Sequence, residues 1–232
     1  GTDESISDFL RVNYLGLSLE QIESVFGFVE KSTLYGGRQF SVPQLSDRDV
    51  SVMNHAGIGL RIPLTNHMAT IEEYKANNTL LNKYHNKYNS IICTSDELAS
   101  WIRNDYPDYE IEASVIKNIN NLQKIEAAMA LYDMVVLPMQ SNDDMDFLNT
   151  ISDKSRIRLF ANGGCAYTCP SKICYRSVSE INKFNGGDFR CSQSIKTREM
   201  IGMVDFDIQY LSSLGFHKFK LLRSHLGNKT GY

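Results

Sequence analysis

What this chain lacks closes off several classes of function at once. No uninterrupted apolar run approaches the ~18 residues that a membrane span requires, so no membrane partner is expected. The opening GTDESISDFL has no basic stretch followed by an apolar one, so no secretory leader is read there and a cytoplasmic location is expected. An excess of one charge is missing as well. Against 27 Asp and Glu stand 24 Lys and Arg, for a net charge of −3, so no global basic field holds a nucleic-acid backbone. RNA could then be met only through a local patch. No linker, low-complexity tract or charge block interrupts the 232 residues, and 1–232 is read as a single domain. With 42% hydrophobic and 22% charged residues, the composition is that of an ordinary globular chain and excludes disorder.

Familiar catalytic signatures are absent too. No G-x-S-x-G elbow seats a nucleophilic serine. None of His55, His67, His85, His217 and His225 pairs at the i, i+4 spacing of a helical metal site. Leu15-Gly16-Leu17 is no dinucleotide-binding loop, and zinc knuckles of the C-x₂-C type do not occur.

What is present is a rhythm in which apolar runs of strand length alternate with segments of helical period. Strands are expected at Phe9–Leu15, Ser32–Tyr35, Gly59–Thr65, Ser90–Cys93, Glu110–Ile116, Met134–Met139, Arg156–Ala161 and Lys218–Leu222. Helices are expected at Leu19–Val29 behind Ser18, at Ser46–Ala56 before Gly57, and at Ile71–Tyr88 with a break near Asn77. Further helices are expected from Thr94 to just before Pro107, at Ile119–Leu131, at Asp143–Ile151 and at Arg198–Leu214. The run MVVLPM is continuous enough to be buried on both faces of a parallel sheet. Eight such strands, each but the last followed by a helix, imply an α/β protein. The expected form is a (β/α)₈ TIM-like barrel, incomplete in that it lacks the last helix. An open doubly wound sheet is the alternative.

In such a barrel the chemistry sits just beyond the C-terminal strand ends. Those positions hold Asn13, Tyr14, Gly36, Gly37, Arg38, Asn66, His67, Thr94, Lys117, Gln140, Asn162, Arg223 and His225. Lys117, His67 and Arg223 are the candidate catalytic groups, with His67 as a general base. Asn13, Arg38, Asn66, Asn162 and Tyr167 are the candidate substrate contacts. Solvated turns collect polar residues whether or not they catalyse anything, so each of these has a plain structural reading as well. Asp143-Asp144 reads as a helix cap and Cys93 as a packed, buried thiol.

The segment RLFANGGCAYTCPSKICYRSVSEINKFNGGDFRC places four cysteines at C-x₃-C-x₄-C-x₁₆-C, immediately after the seventh expected strand. Cys165, Cys169, Cys174 and Cys191 thus share a Cys-rich insertion loop, 163–191, in which Gly163, Gly164, Gly186 and Gly187 free the backbone. A four-thiolate set suits a [4Fe–4S] cluster or a structural Zn²⁺, and Lys172, Arg176 and Arg190 nearby favour deprotonated sulfur. A large chain without a leader is a poor candidate for two disulfides. The radical S-adenosylmethionine signature, C-x₃-C-x₂-C after a first strand, is not matched in spacing or in place.

From Tyr109 to Cys174 the chain resembles the collagenase-like peptidases of family U-32. The resembling features are a strand with Ala113-Ser114, the run YDMVVLP, and a strand ending in Asn162 before a loop with Cys169-Pro170. The late FHKFKLLRS, Phe216 to Ser224, is similar to that family's closing strand. The resemblance implies a distorted or incomplete barrel and, in several branches, an oxygen-labile [4Fe–4S] cluster on four cysteines. Those branches act in oxygen-independent hydroxylation of the ubiquinone ring or of RNA bases, while other branches bear the name of peptidases. The cysteines here are packed more closely than in that family. The leading expectation is therefore an iron–sulfur protein that modifies an aromatic small molecule or an RNA base, with a second related subunit as a further partner. The competing expectations are a peptidase with structural zinc and a non-catalytic binding protein.

Overall fold

In a computed structural model of the chain, residues 5–14, 16–194, 197 and 203–222 are described, with Asn13 described in its backbone only. The first element corrects an expectation. Where a strand Phe9–Leu15 is expected, Phe9–Asn13 belongs to helix α1, Ile6–Asn13, and Leu15 lies outside the described residues. Ser5 caps it by accepting from the Asp8 amide, and the buried Ile6 and Leu10 lie four residues apart on one face. Leu19–Val29 is likewise not a helix. Ser18 and Gln21 form the capping box, but the turn they open lasts only Leu19–Gln21 before the chain extends into strand β1, Ser24–Phe26. Ser32–Tyr35 is buried but forms no strand, because its polar groups are satisfied locally and by Asn66, whose backbone amide donates to Leu34 O at 2.9 Å.

From there the expected alternation is observed. Helix α2, Asp47–His55, starts at the Ser46 cap, and Gly57 follows it at φ 76°. Strand β2, Gly59–Leu64, is buried along its whole length. Helices α3, Ile71–Ala76, and α4, Asn78–Lys83, divide at Asn77. Strand β3, Ser90–Cys93, precedes helix α5, Asp96–Asp105, and strand β4, Glu110–Ala113, runs into a 3₁₀ turn at Val115–Lys117. Helix α6, Leu122–Met129, strand β5, Met134–Val136, helix α7, Met145–Thr150, and strand β6, Ile157–Phe160, continue the pattern.

The Cys-rich segment departs from a plain loop. A short strand β7, Asn162–Gly163, and a 3₁₀ turn, Cys165–Tyr167, lead into helix α8, Ile173–Phe184. Beyond it, the expected helix Arg198–Leu214 lies partly outside the described residues, and its described part, 203–214, is not one helix. Within the described residues, strand β8, Val204–Asp205, pairs antiparallel with β7, and Ile208–Ser213 forms a helix, α9, before strand β9, Phe219–Lys220. The main sheet holds seven strands among the described residues, one fewer than expected, in the order β1-β2-β3-β4-β5-β6-β9. β1–β2, β2–β3, β5–β6 and β6–β9 pair in parallel, which makes the chain an α/β protein. No described helix is long and apolar enough to cross a membrane.

By its internal contacts the chain divides into two compact units, Gly1–Glu112 with Tyr175–Phe189, and Ala113–Cys174 with Arg190–Tyr232. The first has its core in Leu60, Ile62 and Leu64 of β2, Ile91 and Ile92 of β3, and Leu98 and Ile102 of α5. Burying each such side chain contributes about 2 kcal/mol. One charge pair lies among them. Arg61 of β2 and Glu112 of β4 meet at 3.1 Å with side chains 6% and 0% exposed, and Glu23 approaches the same guanidinium at 3.6 Å. Removing one member of such a pair costs about 3–5 kcal/mol, because the other is left charged and buried. The second unit has its core in Val135, Val136, Leu148, Ile157, Leu159 and Phe216.

Candidate functional site

The expected site residues fall in both units. In the first, the loop after β1 carries Arg38, and the end of β2 carries Asn66 and His67. Asn66 is 1% exposed and fully engaged. Its Nδ2 donates to Thr33 O at 2.9 Å, Tyr35 O at 3.1 Å and Ser179 O at 2.9 Å, and its Oδ1 accepts from the Met68 amide at 2.9 Å. Helix α8 supplies the last of the three carbonyls and makes further ties from the same side. Asn182 accepts from the Phe40 amide at 2.9 Å and donates to Arg38 O at 2.8 Å, and the Tyr175 hydroxyl donates to Thr65 O. Lys183 pairs with Glu73 at 2.9 Å. Gly36 is required where this loop meets β2, since a Cβ there would stand 2.5 Å from Thr65 O.

His67 is exposed at the edge of this arrangement, its ring 5.5 Å from that of Tyr175. Partial burial of its ring, together with the Arg176 and Lys183 cations, holds its pKa below the usual histidine value, against an opposing pull from Glu180. The neutral imidazole a general base needs is thereby favoured near neutrality. The guanidinium of Arg38 lies 5.5 Å from the Phe26 ring centre and 5.8 Å from that of Phe28.

The second unit holds Lys117, Asn162, Tyr167 and all four clustered cysteines. Lys117 ends the 3₁₀ turn after β4, with its ammonium 5.3 Å from the Tyr132 ring centre. Asn162 ties two strand ends, donating to Leu222 O at 3.0 Å and accepting from the Leu222 amide at 2.8 Å. The Tyr167 hydroxyl donates to Asp143, and this bond raises the phenol's pKa. Asp144 alone is the cap of α7, accepting from Phe147, so the adjacent acids have different partners. Arg223 and His225 lie outside the described residues, as does the Asn13 side chain.

All five cysteines are thiols, with Cys93 buried in β3 and the other four half-buried. Cys165 and Cys169 lie within one turn, the Cys169 amide donating to Cys165 O at 3.0 Å. The Cys169 sulfur is 3.5 Å from Ser192 Oγ, next in sequence to Cys191, and the Gln193 amide donates to the Cys191 sulfur at 3.4 Å. Among the described residues, however, no three His, Cys, Asp or Glu side chains converge as a group that could hold an ion. The donor chemistry fits a four-thiolate centre, and the segments bearing Cys165, Cys169 and Cys191 are already neighbours.

Sequence reasoning missed helix α8, although Tyr175, Val178 and Ile181 recur at its helical spacing and are buried. It also left Asp143 as a cap. No periodic signal marks the bond to Tyr167, 24 residues away.

No family model matches the chain, and no curated protein does. Among solved structures it is similar to that of the U32 peptidase Mk0906, with 13% identity, a TM-score of 0.57, and coverage of 86% of this chain and 85% of the other. At that identity the likeness is one of fold.

Proposed function

We propose that this chain, on a fold like that of a U32 peptidase, holds a [4Fe–4S] cluster through Cys165, Cys169, Cys174 and Cys191. Its activity on this reading is an oxygen-independent modification of redox type, such as hydroxylation of an aromatic small molecule or an RNA base. The same reading takes the parallel sheet as part of a (β/α)₈ barrel. One observation carries it: four half-buried thiols belong to one compact unit, with Cys165 and Cys169 in a single turn and Cys169 against the Cys191 segment. A bound cluster would supply one-electron transfer. The Gln193 amide donates to the Cys191 sulfur, the kind of hydrogen bond that would tune a bound cluster's potential. Lys117 offers a cation in the same unit for an anionic or electron-rich substrate. His67, neutral near pH 7, can accept a substrate proton.

The test is purification without oxygen, followed by metal analysis and an absorbance spectrum. Brown protein with about four irons per chain that bleaches in air is expected. Replacing any of the four cysteines by Ala should lower the iron content, and Cys93→Ala should not. Colourless protein with one tightly bound zinc would overturn the reading in favour of a hydrolase on the same fold. Two disulfides among the four would end both.

A further inference from the structure

We propose that Gln140 and Asp143, on the 3₁₀ turn Met139–Asp143 that follows β5, are positioning residues for the cysteine turn. By holding Cys165–Tyr167 in place they present Cys165 and Cys169 together as a preformed two-thiolate edge. Gln140 Nε2 donates to Ala166 O at 3.1 Å and to Tyr167 O, so one amide grips two successive carbonyls of the turn. Asp143 accepts from the Tyr167 hydroxyl, which fixes the turn's last side chain from the same element. Beneath these bonds, Ala166 and Tyr167 pack on the buried Val136, Met139 and Phe160, and Phe206 meets the Tyr167 ring edge-on at 5.6 Å. Gly163 allows the close approach, because a Cβ there would stand 2.8 Å from the Met139 sulfur.

The turn then continues into its own ligand pair. Tyr167 N–H donates to Gly164 O at 2.9 Å, Thr168 N–H to Cys165 O at 3.3 Å and Cys169 N–H to the same oxygen at 3.0 Å. Cys165 and Cys169 are therefore fixed relative to each other by backbone, and relative to the β5 end by Gln140 and Asp143. A metal that meets a preformed pair loses less loop entropy on binding than one that must order the whole segment. The role assigned to these cysteines as ligands rests on the iron–sulfur reading. The hydrogen-bonded clamp does not.

The experiment compares Gln140→Ala, Tyr167→Phe and Asp143→Asn with the parent chain, all reduced and metal-free. Tyr167→Phe keeps the ring against Phe206 and loses only the hydroxyl, whereas Asp143→Asn keeps a carbonyl oxygen to accept from it. Site-resolved iodoacetamide labelling at Cys165 and Cys169 should speed up about fivefold in Tyr167→Phe, the change expected for loss of one hydrogen bond, and at least that much in Gln140→Ala, which loses two. Asp143→Asn should label close to the parent rate, and Cys93 should be unchanged in every variant. Anaerobic titration with cobalt(II) alone, read by its thiolate charge-transfer band, should show affinity weakened by the same factors in Tyr167→Phe and Gln140→Ala. Labelling rates that do not move in Gln140→Ala and Tyr167→Phe would overturn the clamp. So would an Asp143→Asn rate as high as that of Tyr167→Phe. If the parent binds no cobalt while the labelling contrast holds, the clamp stands and the metal reading of the cysteines falls.

Discussion

Replacing Asn66 by Ala should destabilise the chain severely, whatever its substrate. The side chain is 1% exposed, and its two amide hydrogens serve the carbonyls of Thr33, Tyr35 and Ser179. Its oxygen also takes the Met68 amide. Alanine would leave all of these groups short of a partner where water cannot replace it. Each buried group left unsatisfied costs about 1–3 kcal/mol, and the two donated hydrogens and the one accepted bond together come to about 4 kcal/mol. That is a large share of the ~5–15 kcal/mol that holds a typical domain folded. In urea, with a slope of about 2–3 kcal/mol per molar, the midpoint should fall by about 1–2 M. Asn66→Asp makes the argument sharper. It keeps the acceptor for Met68 but loses both donors and turns a carboxylate toward three carbonyl oxygens, so it should be no better than Ala. A midpoint shift below about 0.3 M for Ala, or a well-tolerated Asp, would refute the reasoning and leave Asn66 free for a purely substrate-directed role.

Two further outcomes follow from the same unit. Gly36→Ala should cost about 2 kcal/mol and lower the melting temperature by about 4–8 °C, because its methyl would stand 2.5 Å from Thr65 O and 2.8 Å from Asn66 N, both backbone atoms that cannot swing aside; a melting temperature equal to the parent's would show that the loop can shift. His67 should titrate below the ordinary ~6.5 in an NMR pH series, since its ring is partly buried and faces Arg176 and Lys183. Between the unfolded value and this lower folded value the unfolded chain binds more protons, so stability should decline as pH falls through that window, and Arg176→Gln should move the titration upward. A midpoint that stays put in Arg176→Gln would remove the charge contribution.

The fold was most legible where period and punctuation agreed. Ser46 and Gly57 bracket α2 as read, Asn77 divides the long helical stretch, and the fully buried β2 and β3 answer to the continuous apolar character of GLRIPL and SIIC. It was least legible in the first 35 residues. FLRVNYL has the apolar density of a strand, but Ile6 and Leu10 with the Ser5 cap set a helical period that begins before it. Ser18 and Gln21 are a sound helix start, yet Val25 and Phe26 go into the sheet beside β2, where β-branched and aromatic residues pack best. Helix α8 was hidden for a different reason. The cysteines on either side invite a loop reading, and its buried face mixes Tyr175 and Val178 with Ser177, Ser179 and Asn182, so the polar half of the pattern masks the period.

That polar face explains why strand-end residues are hard to assign from sequence. Beyond the last ladder bond, a strand leaves carbonyls with no partner in the sheet, and burial there demands a donor. An asparagine side chain meets the demand because it carries two hydrogens on a short, rigid stem. Asn66 meets it for the loop after β1 and for α8, Asn142 donates to Phe160 O at 2.8 Å at the end of β6, and Asn162 does so for Leu222 after β9. The same residue type at the same topological place is what a substrate site would also display, so composition alone cannot separate the two roles. What separates them is the number of bonds already made within the chain. By that measure Asn66 and Asn162 have little hydrogen-bonding capacity left. His67 is an exposed residue, and Cys165 and Cys169 are half-exposed on a turn that Gln140 anchors. On the proposed reading, the places to test for chemistry are therefore the cysteine turn and His67, where neighbours hold the side chains in place.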